Sequence, residues 1–276
     1  MTSPNSEAPV LVGTSWKMNK TLAEATAYVD DLVGAGVPDV VDAFILPPHT
    51  ALAAVRDRLP RDSRIRLGAQ NAHWAAEGAA TGEVSMRMVR DAGATIVEIG
   101  HSERRAEFGE TDEHVACKVA AALDHGLTAL VCVGEPRDVR DAGGSEDHVV
   151  AQVRSSLSMV SGADSTSVLL AYEPVWAIGE GGSPASPEQV APVVRAVRRV
   201  MAERLIGEAG TVLYGGSVDD TNATELLEGA GADGLFVGRA GLSATGFARL
   251  LSVCAAAHPL RHSTPNDREV DDAAIR

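Results

Sequence analysis

Eight times along this chain a short β-branched run gives way to a polar turn and then to a longer, alanine-rich stretch whose apolar residues recur at helical spacing. The strand candidates are Val10–Lys17, Ala43–Pro48, Ile65–Asn71, Thr95–Ser102, Thr128–Glu135, Val168–Pro174, Thr211–Ser217 and Gly234–Arg239. Helix candidates between them include Leu22–Val33, His114–His125, Val149–Val160 and Pro187–Leu205. Strict alternation of this kind predicts a parallel sheet with right-handed crossovers, and eight units predict its closure into a (β/α)8 barrel. The rival, an open doubly wound sheet, lacks its usual GxGxxG after the first strand. A length of 276 residues suits one such barrel, which folds as a single domain at about 250 residues.

Composition narrows the client. Aromatic residues make up only 4%, so the core must be filled by Ala, Val, Leu and Ile, as in parallel sheets covered by helices. The net charge of −14 argues against nucleic acid and anionic membranes as partners, which leaves a small molecule held in a local site. Cys117, Cys132 and Cys254 are widely separated with no CxxC spacing, so neither a disulfide framework nor a zinc ribbon is expected; the default is reduced, buried thiols in the cytoplasm. The N-terminus does not read as a signal peptide, and no apolar run approaches the roughly 18 residues of a membrane span. Residues 1–9 and 258–276 read as poorly ordered extensions flanking a barrel domain at 10–257.

In a barrel of this kind chemistry sits at the C-terminal ends of the strands, and there the polar residues gather: Lys17, Asn71, His101, Glu135, Glu173 and Ser217. Glu173 follows the apolar run VLLAY and precedes Pro174, whose fixed φ ends the strand. A carboxylate there is partly desolvated and so a stronger base, suited to taking a proton from carbon. His101 precedes a polar segment able to start a short helix, whose N-terminal dipole disfavours imidazolium. Lys17 places a point charge where negative charge would accumulate.

Four segments, TSWKMN, EIGHSERR, AYEPVWAIGEG and YGGSV, occur in this order and resemble the triosephosphate isomerase family over about Val10 to Ala255. The resemblance implies a TIM barrel, α/β in class, and an isomerase that moves a proton between neighbouring carbons of a phosphorylated ketose through an enediolate. It implies Glu173 as the base, His101 as the neutral electrophile and Lys17 as the electrostatic catalyst, the pairing of Glu and His for which this family is the standard example. Glu103 is expected to support Lys17 or His101, with Ser102 in a similar role. Phosphate would be gripped by backbone N–H groups at Gly179, Ser217 and Gly238, aided by a short helix after Gly238. Residues Ala177–Ser186 read as a lid hinged near Pro174 and Pro184. The segment Gly68–Glu83 is long for a strand–helix loop and by itself reads as an ordered surface loop; in the family it reaches into a neighbouring subunit, so the resemblance implies a homodimer, with the residue matching Thr81 near a partner's site. No cofactor and no metal are implied.

Three departures from the family cluster at one site. Ser15 stands where most members have Asn, Arg239 stands in the usual VGGA phosphate loop, and the lid reads EGGSPAS, one residue longer than usual. Together they resemble the branch acting on tetrulose phosphates, the L-erythrulose-1-phosphate isomerases of erythritol breakdown. Ser15 and Arg239 therefore join the expected substrate-binding residues. Ordinary triosephosphate isomerase activity, as in glycolysis and gluconeogenesis, is the alternative, and a noncatalytic barrel that only binds a phosphorylated ligand is a remote third.

Overall fold

The computed structural model describes residues 8–179, 182, 184–207 and 210–258. Its eight strands are β1 (Val10–Ser15), β2 (Val41–Leu46), β3 (Ile65–Ala69), β4 (Ile96–Ile99), β5 (Thr128–Val133), β6 (Val168–Tyr172), β7 (Thr211–Tyr214) and β8 (Gly234–Val237). They close in chain order into one parallel barrel, with β8 pairing back to β1 through Val12↔Leu235 and Thr14↔Val237. The expected TIM barrel is therefore the observed fold.

Each strand stops two or three residues short of its sequence-based end. The reason is local: Lys17 at φ 53° and Gly100 at φ 76° turn the chain out of the ladder, and Pro174 has no N–H to donate to it. The polar residues are thereby lifted off the sheet onto its rim.

Inside the barrel pack Phe44, Leu46, Ile96, Leu130, Leu213 and Phe236, all buried. Gly13 makes room for this layer, because a Cβ there would lie 1.8 Å from the Phe44 ring. That ring stacks on Phe236 with centroids 5.7 Å apart. A second, larger apolar layer lies between the outward strand faces and the helices.

The helix Leu22–Ala35 starts from a Thr21–Glu24 capping box and Pro187–Arg204 from a Ser186–Gln189 box with Pro at its first position. Two helices begin earlier than their apolar spacing suggests, at Asp112–Asp124 and Ser145–Ser156. Their first turns carry Asp112, Glu113, Glu146 and Asp147, whose charges favour the positive helix end but carry no hydrophobic signal.

Residues 1–7 and 259–276, parts of the two expected extensions, lie outside the described residues. His258 is buried, 3.2 Å from the Ala8 carbonyl. Cys132 and Cys254 are buried thiols, but Cys117 is only half-buried, contrary to expectation, because it flanks the inward face of its helix. No helix among the described residues is long and apolar enough to cross a membrane.

Candidate active site

A cleft of about 560 Å³ opens at the C-terminal rim of the barrel. Ser15, Lys17, His101, Glu173, Gly179, Ser217, Gly238 and Arg239, residues from five separate strand ends, all line it.

Lys17 sits just past β1 in a left-handed conformation that side chains other than glycine rarely adopt. Neighbours hold it there. Gln70 donates its amide to the Lys17 carbonyl at 3.0 Å, and Asn19 donates to the Trp16 carbonyl at 2.7 Å. The result aims Lys17 Nζ at Glu103 Oε1, 2.6 Å away.

His101 is the N-cap of a one-and-a-half-turn helix, Ser102–Glu107, as the sequence suggested. Its Nδ1 accepts the backbone N–H of Glu103 at 3.2 Å, and Nε2 faces Glu173 Oε1 at 3.7 Å. Burial pushes the imidazole pKa down, whereas the Glu173 and Glu98 carboxylates push it up, and the net direction is up from 6.5. That runs against a neutral ring. The hydrogen-bond pattern nevertheless assigns the neutral tautomer with its proton on Nε2, since an imidazolium carries a proton on Nδ1 and cannot accept there.

Glu173 is 3% exposed, and its Oε2 has no hydrogen-bond partner among the described residues. Gly215 lets it lie against β7: a Cβ at 215 would stand 2.7 Å from Glu173 Cγ. Glu103 thus contacts both Lys17 and His101, whereas Ser102 bonds neither and lines a separate cavity of about 300 Å³ beyond Glu173.

The other end of the cleft is built from backbone. Gly179 (φ 84°) leads into the expected lid, of which Glu180, Gly181 and Ser183 lie outside the described residues. Gly238 caps a single 3-10 turn, Arg239–Leu242. Arg239 is exposed at the cleft mouth and forms no ion pair among the described residues.

Two strand-end residues from the sequence lie outside the cleft. Glu135 is fully buried and accepts from Trp176 Nε1 at 2.7 Å and from Tyr172 Oη at 3.1 Å. Asn71 accepts from Lys118 Nζ at 2.7 Å, and Lys118 in turn faces Glu110 at 3.1 Å. Glu110 takes the Gly100 N–H at 3.1 Å and Arg104 Nε at 2.6 Å, bracing the turn that presents His101.

Sequence reading missed Glu98. It lies on β4, 2% exposed, accepting from Ser15 Oγ at 2.9 Å and standing 4.0 Å from His101 Nε2. Burial, opposed by His101 and reinforced by Glu173, drives its pKa up to about 7. Its signal was available: a lone acid in the apolar run TIVEI, in phase with inward-facing Ile96. Ligand atoms of Glu98, Cys132 and Glu173 lie within 4.8 Å of one another. Burial also pushes the Cys132 thiol well up, so two of the three hold their protons and are poorly suited to a cation that needs deprotonated ligands.

A buried carboxylate with one unpartnered oxygen, a neutral imidazole donor and an ammonium group meet here with a glycine-rich rim. That set can accept a proton from carbon, polarise a carbonyl and hold an anion.

A family model described as triosephosphate isomerase matches residues 10–254. The L-erythrulose-1-phosphate isomerase of Mycolicibacterium smegmatis is 48% identical over 255 residues, which cover 91% of this chain and 95% of that protein. The protein of the same name from Mesorhizobium japonicum is 47% identical, over 89% of this chain and 97% of its own. That from Rhizobium rhizogenes is 46% identical, over 89% and 94%.

Proposed function

Because the chain belongs to the triosephosphate isomerase family, and is therefore an isomerase, we propose that it interconverts L-erythrulose 1-phosphate and D-erythrulose 4-phosphate through an enediolate. Glu173 takes the proton from C3 and returns it to C2. His101 donates its Nε2 proton to the C2 oxygen and recovers one from the C3 hydroxyl, so the ring ends as it began. Lys17, steadied by Glu103, neutralises the charge that builds on the oxygens. Backbone N–H groups at Gly179, Ser217 and Gly238 hold the phosphoryl group, with Arg239 adding a cation at its edge.

The observation that carries this reading is the convergence of Ser15 and Arg239, the two departures in the described residues, on the same cleft as Lys17, His101 and Glu173. The names and identities of the three relatives point to the same substrate. The test is kinetic. We expect kcat/KM for the tetrulose phosphate to exceed that for dihydroxyacetone phosphate, and a triose value near the diffusional ceiling of about 10⁸ M⁻¹s⁻¹ would defeat the assignment.

The same proposal includes a homodimer in which the Gly68–Glu83 segment of one copy covers the rim of the other's site. Two exposed apolar residues support it: Met18, 97% exposed, and Phe108, 66% exposed, flank Lys17 and Glu103 at that rim.

A further inference from the structure

We propose that Ser15 and Glu98 form the subsite for the terminal hydroxymethyl group of the substrate, the Glu98 carboxyl hydrogen-bonding the end hydroxyl while Ser15 holds that carboxyl in place. The inference rests on the tetrulose reading above and makes Glu98 its specificity-determining residue.

A carboxyl buried in the apolar interior of a barrel is costly unless its oxygens are partnered. Oε2 of Glu98 receives the Ser15 hydroxyl at 2.9 Å. Oε1 accepts, among the described residues, just one weak bond, from the Cys132 thiol at 4.0 Å, with His101 Nε2 also 4.0 Å away. Oε1 thus keeps room for a stronger donor than a thiol, and the carboxyl stands within 4.8 Å of Glu173 and 4.0 Å of His101.

There is space beside it. A cavity of about 230 Å³, lined by Ser15, Lys17, Asn71, Glu98 and His101, adjoins the main cleft and shares Ser15, Lys17 and His101 with it. A substrate gripped by its phosphoryl group at Gly179, Ser217 and Gly238, with its reacting oxygens at His101 and Lys17, has its far end at this junction. The tetrulose phosphate differs from a triose phosphate by a CH₂OH on the reacting carbon remote from phosphate, which is the group that arrives there. A hydroxyl both donates and accepts, so it pairs with Glu98 in either protonation state. A triose leaves the carboxyl unmatched, and sites built around a substrate hydroxyl discriminate strongly against analogues without it.

The test compares the tetrulose phosphate with its 4-deoxy analogue, which keeps the carbon skeleton and loses only the end hydroxyl. Wild-type enzyme should favour the hydroxylated substrate in kcat/KM by more than about 100-fold. Glu98→Leu should reduce that preference at least tenfold, chiefly by losing rate on the hydroxylated substrate, and Glu98→Gln, which keeps a donor and an acceptor, should retain most of it. An unchanged preference in a folded Glu98→Leu enzyme overturns the inference, as does an equal loss on both substrates. Should that variant fail to fold, Ser15→Ala decides: freed of its anchor, the carboxyl should lose several-fold of the preference, and no change overturns the proposal. Wild-type enzyme that prefers dihydroxyacetone phosphate to the tetrulose phosphate would remove the functional reading and this inference together. A tetrulose preference with unaltered discrimination in the variants removes the inference alone.

Discussion

Lys17 at φ 53° is a strained residue of the kind that persists where its surroundings over-determine it, at a cost of order 1–3 kcal/mol, and here Gln70 and Asn19 do so. Its neighbour across the cleft, Glu173, has a simpler requirement: a free carboxylate oxygen. Glu173→Gln should lower kcat about 10³-fold while leaving the affinity for a phosphate-bearing analogue within a few-fold, measured by titration against turnover. Surviving turnover would assign the base elsewhere. Glu98 makes a thermodynamic prediction as well. Its folded pKa of about 7 lies above the ordinary 4.5, so between these values the folded state binds more protons than the unfolded chain and stability falls as pH rises. Compared with Glu98→Gln, the native protein should lose up to roughly 3 kcal/mol between pH 4.5 and 7. A constant gap in denaturation free energy across that range would contradict the burial argument.

At the scale of elements, the turn between β4 and the helix Ser102–Glu107 is where position becomes chemistry. It is braced from beneath by Glu110, which ties together Gly100, Arg104 and Lys118. Removing one member leaves a buried charge short of a partner, so Lys118→Met should destabilise the protein by about 3 kcal/mol in urea titrations and disturb His101 with it. A loss under about 1 kcal/mol would mean the network is dispensable. Lys118 and Arg104, outweighing the opposing effect of burial, hold Glu110 below its ordinary pKa. Its contribution is present above 4.5 and is lost as pH falls through its lower folded value, a slope opposite in sign to that from Glu98.

The whole molecule combines a net charge of −14 with a cleft lined by Lys17 and Arg239, and the proposed binding of a small anion there is compatible with that charge because such groups act locally. The exposed rim residues Met18 and Phe108 set the expectation for assembly. Light scattering should give twice the 28.7 kDa chain mass, and replacing residues 75–82 by a short Gly-Ser link should halve it and lower kcat. A monomer of full activity would show that the rim needs no cover.

The barrel, and the gathering of Lys17, His101 and Glu173 in one cleft, were legible because both are written locally. A β-branched run followed by a helical stretch specifies one βα unit, eight of them leave closure as the consistent arrangement, and Lys17, His101 and Glu173 each follow an apolar strand. The contacts of Glu98 and Ser102 and the Glu110–Lys118–Asn71 network were not legible in that way. What a residue inside a strand or helix touches depends on register and barrel closure, which bring positions 15 and 98 to 2.9 Å across 83 residues of chain. The sequence by itself determined the kind of fold and the isomerase class; only closure of the sheet decided that a carboxyl in β4 stands beside His101 and Glu173, because burial and partnership are properties of neighbours in space.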